Sequence, residues 1–139
     1  MVHLGVFTDK LASGSRRAFV KAEQEAHRLG HSQITPEHLL SAIAGLQRPL
    51  FDDVLMRLNR DSQTVLEGIE ATLAGYKIKK ELVGVSKEMR LLLHHSIIQA
   101  HDEGRRNLAP KDFLQVYCRR KQSKESLFGK LKSMFGSHG

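Results

Sequence analysis

Tryptophan is absent, and the 139 residues hold two tyrosines, three prolines and one cysteine. The single thiol, Cys118, excludes a disulfide within the chain, so a reduced compartment and a packed, structural thiol are expected. No stretch approaches the roughly 18 consecutive apolar residues of a membrane-crossing helix. The N-terminus lacks a basic region followed by an apolar run, so no secretory signal is read and a cytoplasmic location is expected. Apolar content comes from Leu, Ala, Val and Ile, without a run of alternating β-branched residues, which leaves little room for a sheet. The expected fold class is all-α.

Signatures of catalysis are missing too. No Gly-x-x-x-x-Gly-Lys-Ser/Thr segment is present to cradle nucleotide phosphates, and no Gly-x-Gly-x-x-Gly opens a dinucleotide site. P-loop ATP hydrolysis by these residues is therefore excluded. No Gly-x-Ser-x-Gly elbow occurs, and Ser13-Gly14-Ser15 reads as a helix irregularity. Eight histidines raise the question of a metal. His27 and His31 stand four apart at a helix end, with His38 and His101 as candidates to join them. A metal site needs three or four converging ligands, and neither His-Glu-x-x-His nor a cysteine pair is present. His31 and His38 are expected to cap and pack around an inter-helix loop. The chain is expected to be a non-enzyme that carries no cofactor and no metal.

What is present in excess is positive charge, unevenly placed. The formal net charge is +7. From Gly104 onward there are nine Lys/Arg against two Asp/Glu, while the preceding residues hold 13 of each. A basic chain suggests nucleic acid, but here that suggestion attaches to the tail alone.

The organising feature is a repeat. Ala26-His27-Arg28-Leu29-Gly30-His31-Ser32-Gln33-Ile34-Thr35-Pro36-Glu37-His38-Leu39-Leu40 has the plan of a helix end, a loop and a new helix start. Ala100-His101-Asp102-Glu103-Gly104-Arg105-Arg106-Asn107-Leu108-Ala109-Pro110-Lys111-Asp112-Phe113-Leu114 has the same plan 74 residues on. Ala26/Ala100, His27/His101, Gly30/Gly104, Pro36/Pro110 and Leu40/Leu114 are identical at that offset, the mark of a duplicated helical unit.

Along the chain, Leu11, Ser15, Ala18/Phe19, Ala22, Ala26 and Leu29 share one face of a first helix that Thr8 caps, or that starts at Ser13 or Ser15. Gly30 closes it in the left-handed region. Thr35-Pro36-Glu37 is a strong second start, with Leu39, Leu40, Ile43 and Leu46 as the buried stripe and Gly45 and Arg48-Pro49 at its end. A third helix spans Leu50 to Leu58, stopped by Asn59. A fourth, capped by Asp61 or Ser62, buries Val65, Leu66, Ile69 and Leu73. Tyr76 to Val85 reads as an extended linker, because a lone strand has no partner elsewhere. Ser86 caps a fifth helix bearing Met89, Leu92, Leu93, Ile97 and Ala100. Pro110 starts a sixth with Phe113, Leu114 and Tyr117 inward, and Ala109 in the place of Thr35 removes the cap. Arg119 to Ser126 is a basic linker. Leu127, Phe128, Leu131, Met134 and Phe135 then form an amphipathic stripe among lysines, completing the second repeat or lying on an acidic partner or membrane surface.

These motifs resemble a known family. Ala22-Glu23-Gln24-Glu25-Ala26-His27-Arg28-Leu29-Gly30-His31 followed by Ile34-Thr35-Pro36-Glu37-His38-Leu39-Leu40 is similar to the first repeat of the Clp N-terminal domain, which heads Clp-type AAA+ unfoldases. Phe7-Thr8-Asp9-Lys10 resembles its opening, and the resemblance runs to Tyr117. It implies two pseudo-symmetric helical repeats (7–75 and 86–120), with 121–139 a basic linker and amphipathic helix. It also implies a domain without catalysis that recruits substrates or adaptors through grooves at the repeat junction for a hexameric ATPase ring. In some members acidic residues at the second helix start of each repeat read phosphorylated arginine, and in another branch the domain grips a helix of the type VI secretion sheath. Here Glu37 matches the acidic position but its counterpart is Lys111, so a paired acidic site is at best half present. From Phe7 to Gly30 the chain is about four residues longer than the family's spacing, and the second repeat is shortened or diverged after Tyr117.

The expected partners are protein substrates or adaptors, with a Clp ring or protease also in view. The surface expected to bind them gathers His31, Gln33, Glu37, Arg105, Asn107 and Lys111. The alternatives are the sheath-binding role and a small basic nucleic-acid-binding protein, whose affinity would fall steeply with salt. Both the front of a longer unfoldase and a stand-alone accessory protein remain open.

Overall fold

The computed structural model describes residues 11–79, 81 and 84–121. The amphipathic stripe from Leu127 to Phe135 lies outside the described residues, and the first helix is not capped by Thr8: it starts at Ser13, the alternative start, with Ala12 as N-cap and no side-chain cap. In order along the chain are α1 (Ser13–Arg28), β1 (Gln33–Ile34), α2 (Pro36–Leu46), α3 (Arg48–Arg57), α4 (Ser62–Ala74), β2 (Gly84–Val85) and α5 (Lys87–Asp102). Residues 110–121 form a further helix, α6. The fold is all-α, with two strands of two residues each among the described residues.

The 74-residue offset holds in three dimensions. α5 reproduces α1 at both ends, and α2 and α6 each begin on a proline. Gly30 (φ 72°) and Gly104 (φ 74°) close α1 and α5 in the left-handed region, where a side chain would be strained. Each closure carries the same pair of bonds: His31 N–H to Ala26 O with Gly30 N–H to His27 O, and Arg105 N–H to Ala100 O with Gly104 N–H to His101 O. Asn59 (φ 58°) ends α3 as its position suggested.

The connector is not a free linker. β2 pairs in parallel with β1, Gln33 opposite Gly84 and Ile34 opposite Val85. The partner the sequence did not reveal is the inter-helix loop of the first repeat. The pairing is reciprocal: Leu11, which leads into α1, bridges in parallel to Leu108 in the inter-helix loop of the second repeat. Ser86 N–H donates to Ile34 O at 3.0 Å, and Ala12 N–H donates to Leu108 O at 3.0 Å. Both pairs of positions are 74 apart, so the lead-in of each repeat is stitched to the loop of the other.

Between the repeats lies one core of Leu, Ile, Ala and Phe side chains. Phe19 on α1 meets Phe113 on α6 edge-to-face at 5.6 Å, a favoured aromatic geometry. Of the α4 residues expected inside, only Ile69 is fully buried; Val65, Leu66 and Leu73 are partly buried against the core. Leu46, expected in the α2 stripe, is 45% exposed. It is the last residue of its helix and stands beyond the core-facing turns, where the chain leaves for α3. Ala109 offers no side-chain cap, yet half of a capping box survives: Asp112, three residues on, accepts from Ala109 N–H at 2.8 Å.

Candidate functional site

The start of α2 is fixed by an unusual reciprocal cap. Thr35 Oγ1 accepts from His38 N–H at 3.4 Å, and Thr35 N–H donates to His38 Nδ1 at 2.9 Å. A ring nitrogen that accepts from a backbone N–H carries no proton. The His38 proton therefore sits on Nε2 and is donated to His31 Nδ1 at 2.8 Å, leaving the His31 proton on its own Nε2. Both rings are buried, His38 almost completely. Burial, then the neighbouring His31, hold His38 down to about 4, against the opposing pull of Glu37 and Glu25. Burial lowers His31 as well. Tyr76 from the connector packs edge-on against His31 at 5.3 Å.

The second repeat solves the same problem with charge. At the positions of His31 and His38 stand Arg105 and Asp112, bonded through Nη1 and Oδ2 at 2.9 Å, with Asp112 fully buried. Arg105 uses five donor contacts, to Asp112, Glu103 and the Asn107 carbonyl. Its hydrogen bonds to Asp112 and then Glu103 push its pKa further up, so it stays a cation.

Glu37 is the residue where the repeats meet. One carboxylate oxygen accepts from Tyr76 OH at 2.8 Å and the other from Tyr117 OH at 2.8 Å. Both phenols are pushed up from their ordinary range, by burial first and then by Glu37. They therefore act as donors across the physiological range. Glu37 is only 7% exposed, so α2, the connector and α6 are tied at one carboxylate. Its counterpart Lys111 is partly buried and has no matching clamp among the described residues.

A surface groove runs past this clamp in two basins. One, of about 370 Å³, lies along His31, Gln33, Tyr76, Lys77, Lys79 and Ser86. The other, of about 130 Å³, lies along Leu92, Tyr117, Arg120 and Lys121. They share Pro36, Glu37 and Glu88. Of the six residues expected at a binding surface, His31, Gln33 and Glu37 line this groove. Arg105 and Asn107 line a separate hollow of about 640 Å³ at the second inter-helix loop, and Lys111 lines neither. Sequence reading expected His38 to cap and pack around the inter-helix loop, as found, but missed the roles of Tyr76, Tyr117 and Asp112. The 74-residue offset held the signal for Asp112, since His38 and Asp112 occupy one repeat position and both accept from the backbone there. Among the described residues no group of three or more His, Cys, Asp or Glu is placed to hold a metal ion. Among the same residues no helix is long and apolar enough to cross a membrane.

Fold and groove together define a two-repeat helical domain whose distinctive feature is a surface cleft at the repeat junction. The chain belongs to the Clp repeat N-terminal domain family, whose model, the Clp repeat (R) N-terminal domain, matches residues 7–130. Three solved structures share the fold. The N-domain of ClpV from Vibrio cholerae has a TM-score of 0.70 at 21% identity, covering 98% of this chain and 89% of that one. The Hsp104 N-terminal domain from Candida albicans has a TM-score of 0.68 at 15% identity, covering 87% and 81%. A chain from a malarial protein secretion system has a TM-score of 0.62 at 20% identity, covering 89% and 96%. A search of curated proteins gives no match.

Proposed function

We propose that this chain is a non-catalytic docking domain that holds segments of protein substrates or adaptors for a Clp-type ATPase ring. The groove around the start of α2 is its binding surface. The observation that carries this reading is the position of the groove: it lies where the first inter-helix loop, the connector and both repeats converge on Glu37. A segment bound there touches every part of the molecule that defines the junction. The sequence supports a binding role, since it carries no P-loop and no nucleophile elbow. A buried lone thiol suits a reduced, cytoplasmic setting.

Photo-crosslinking tests it. A benzophenone amino acid at the groove residue Gln33 is expected to trap a reduced, carboxymethylated model substrate. The same probe at Met56, 68% exposed on α3 and not among the groove residues, is expected to trap none. Equal trapping at both positions, or none at Gln33, contradicts docking at the junction.

A further inference from the structure

We propose that the groove selects segments that carry acidic residues on both sides of an uncharged centre. This rests on the groove being the docking surface, and names what it takes. The carboxylate best placed to attract a cation, Glu37, has both oxygens occupied by phenol O–H groups. The two phenols hold that carboxylate against the protein, and it keeps its negative charge. Glu88 is the one other carboxylate on the lining. Against it stand four cations, Lys77 and Lys79 along the larger basin and Arg120 and Lys121 along the smaller. None of the four forms an ion pair among the described residues. Lys121 instead lies over the Tyr117 ring at 5.7 Å. Each basin thus carries two cations of its own without an ion pair among the described residues, while Pro36, Glu37 and Glu88 are common to both.

The charge layout also separates a peptide from a nucleic acid. A nucleic-acid backbone carries a charge at every nucleotide and would set phosphates against Glu37 and Glu88, in the middle of the groove. A peptide with uncharged side chains there and carboxylates on either side meets no like charge at the clamp. Complementary charge of this kind acts on partner choice and association rate more than on total affinity.

Fluorescence anisotropy with labelled dodecapeptides provides the test. One carries a Leu/Ile centre with Asp flanks, and two controls carry Asn or Lys flanks around the same centre. The Asp-flanked peptide is expected to bind about tenfold tighter than the Asn-flanked one and to weaken steeply with added salt. The quadruple variant Lys77→Glu, Lys79→Glu, Arg120→Glu, Lys121→Glu is expected to prefer the Lys-flanked peptide. Its far-UV circular dichroism should be unchanged, because none of these side chains belongs to the buried core. Equal binding of all three peptides, lost on Gln33→Trp, overturns the selection while leaving docking at the groove intact. Binding of no peptide overturns both. A labelled oligothymidine bound as tightly, and released by the same charge reversal, assigns the cations to nucleic acid and overturns the proposal.

Discussion

At the imidazole of His38 a backbone N–H claims one ring nitrogen and a second histidine claims the other. A second proton on His38 turns its Nδ1 into a donor facing the Thr35 N–H, and the His38 half of the α2 capping box is lost. The unfolded chain, whose histidines titrate near 6.5, therefore takes up protons that the folded chain refuses until about 4. Stability is full above pH 6.5 and falls as the pH drops from there toward 4. Between pH 7 and pH 5 the His38 contribution falls by about 2 kcal/mol, which urea titrations at the two pH values would measure. His31, lowered by burial, acts in the same direction. The phenol clamp gives a second prediction at this scale. Tyr117→Phe keeps the ring and removes one of the two hydrogen bonds to Glu37. It should cost about 1.5–3 kcal/mol, the range for hydrogen bonds to charged groups, as a shift in the urea midpoint at unchanged slope. The helix caps were legible in the sequence because they reach three residues or fewer: Thr35, Asp61 and Ser86 each accept from the backbone N–H three positions on. Tyr76 and Tyr117 reach Glu37 across 39 and 80 residues. No local pattern marks such contacts, and both tyrosines passed as ordinary helix or linker residues.

Elements differ in what holds their ends. α2 begins on a neutral histidine box and α6 on a buried carboxylate shared with Arg105. Asp112→Ala removes the remaining cap of α6 and leaves Arg105 without its buried partner, at a cost of about 3 kcal/mol or more. Asp112→Asn keeps an oxygen for Ala109 N–H and should cost less. Thermal or urea unfolding of the pair checks the order. In α4 the opposite holds: Gly68 sits in the helix interior with open space where a Cβ would lie. Gly68→Ala should stabilise by about 0.5–1 kcal/mol, visible as a raised melting temperature. Element order and most helix spans were readable because apolar stripes, prolines and left-handed glycines carry local signals; Arg48 and Pro49, expected to end α2, instead open α3, since proline suits a first helical turn. β1 and β2 were not, since two-residue strands have no periodicity and their pairing exists only once the repeats interlock.

For the whole molecule, the reciprocal stitching of each lead-in to the other repeat's loop makes the two repeats one folding unit. The protein's two tyrosines both sit on Glu37 and there is no tryptophan, so intrinsic fluorescence reports on the junction alone. Fluorescence and far-UV circular dichroism should give coincident urea transitions; a fluorescence change that comes first would show a junction melting ahead of the helices. Family membership was legible from the duplicated helix-end motif, but the charge character of the groove was not. Glu37 was expected at the binding surface and lines the groove, but that both its oxygens accept from tyrosines of distant segments had no local signal. The most direct measurement is a ¹H–¹⁵N correlation titration of the whole chain with the Asp-flanked apolar peptide. Docking at the junction predicts shifts concentrated at Gln33, Glu37, Lys77, Glu88 and Arg120. Shifts gathered instead around Arg106 and Asn107, or spread evenly over the surface, would contradict it.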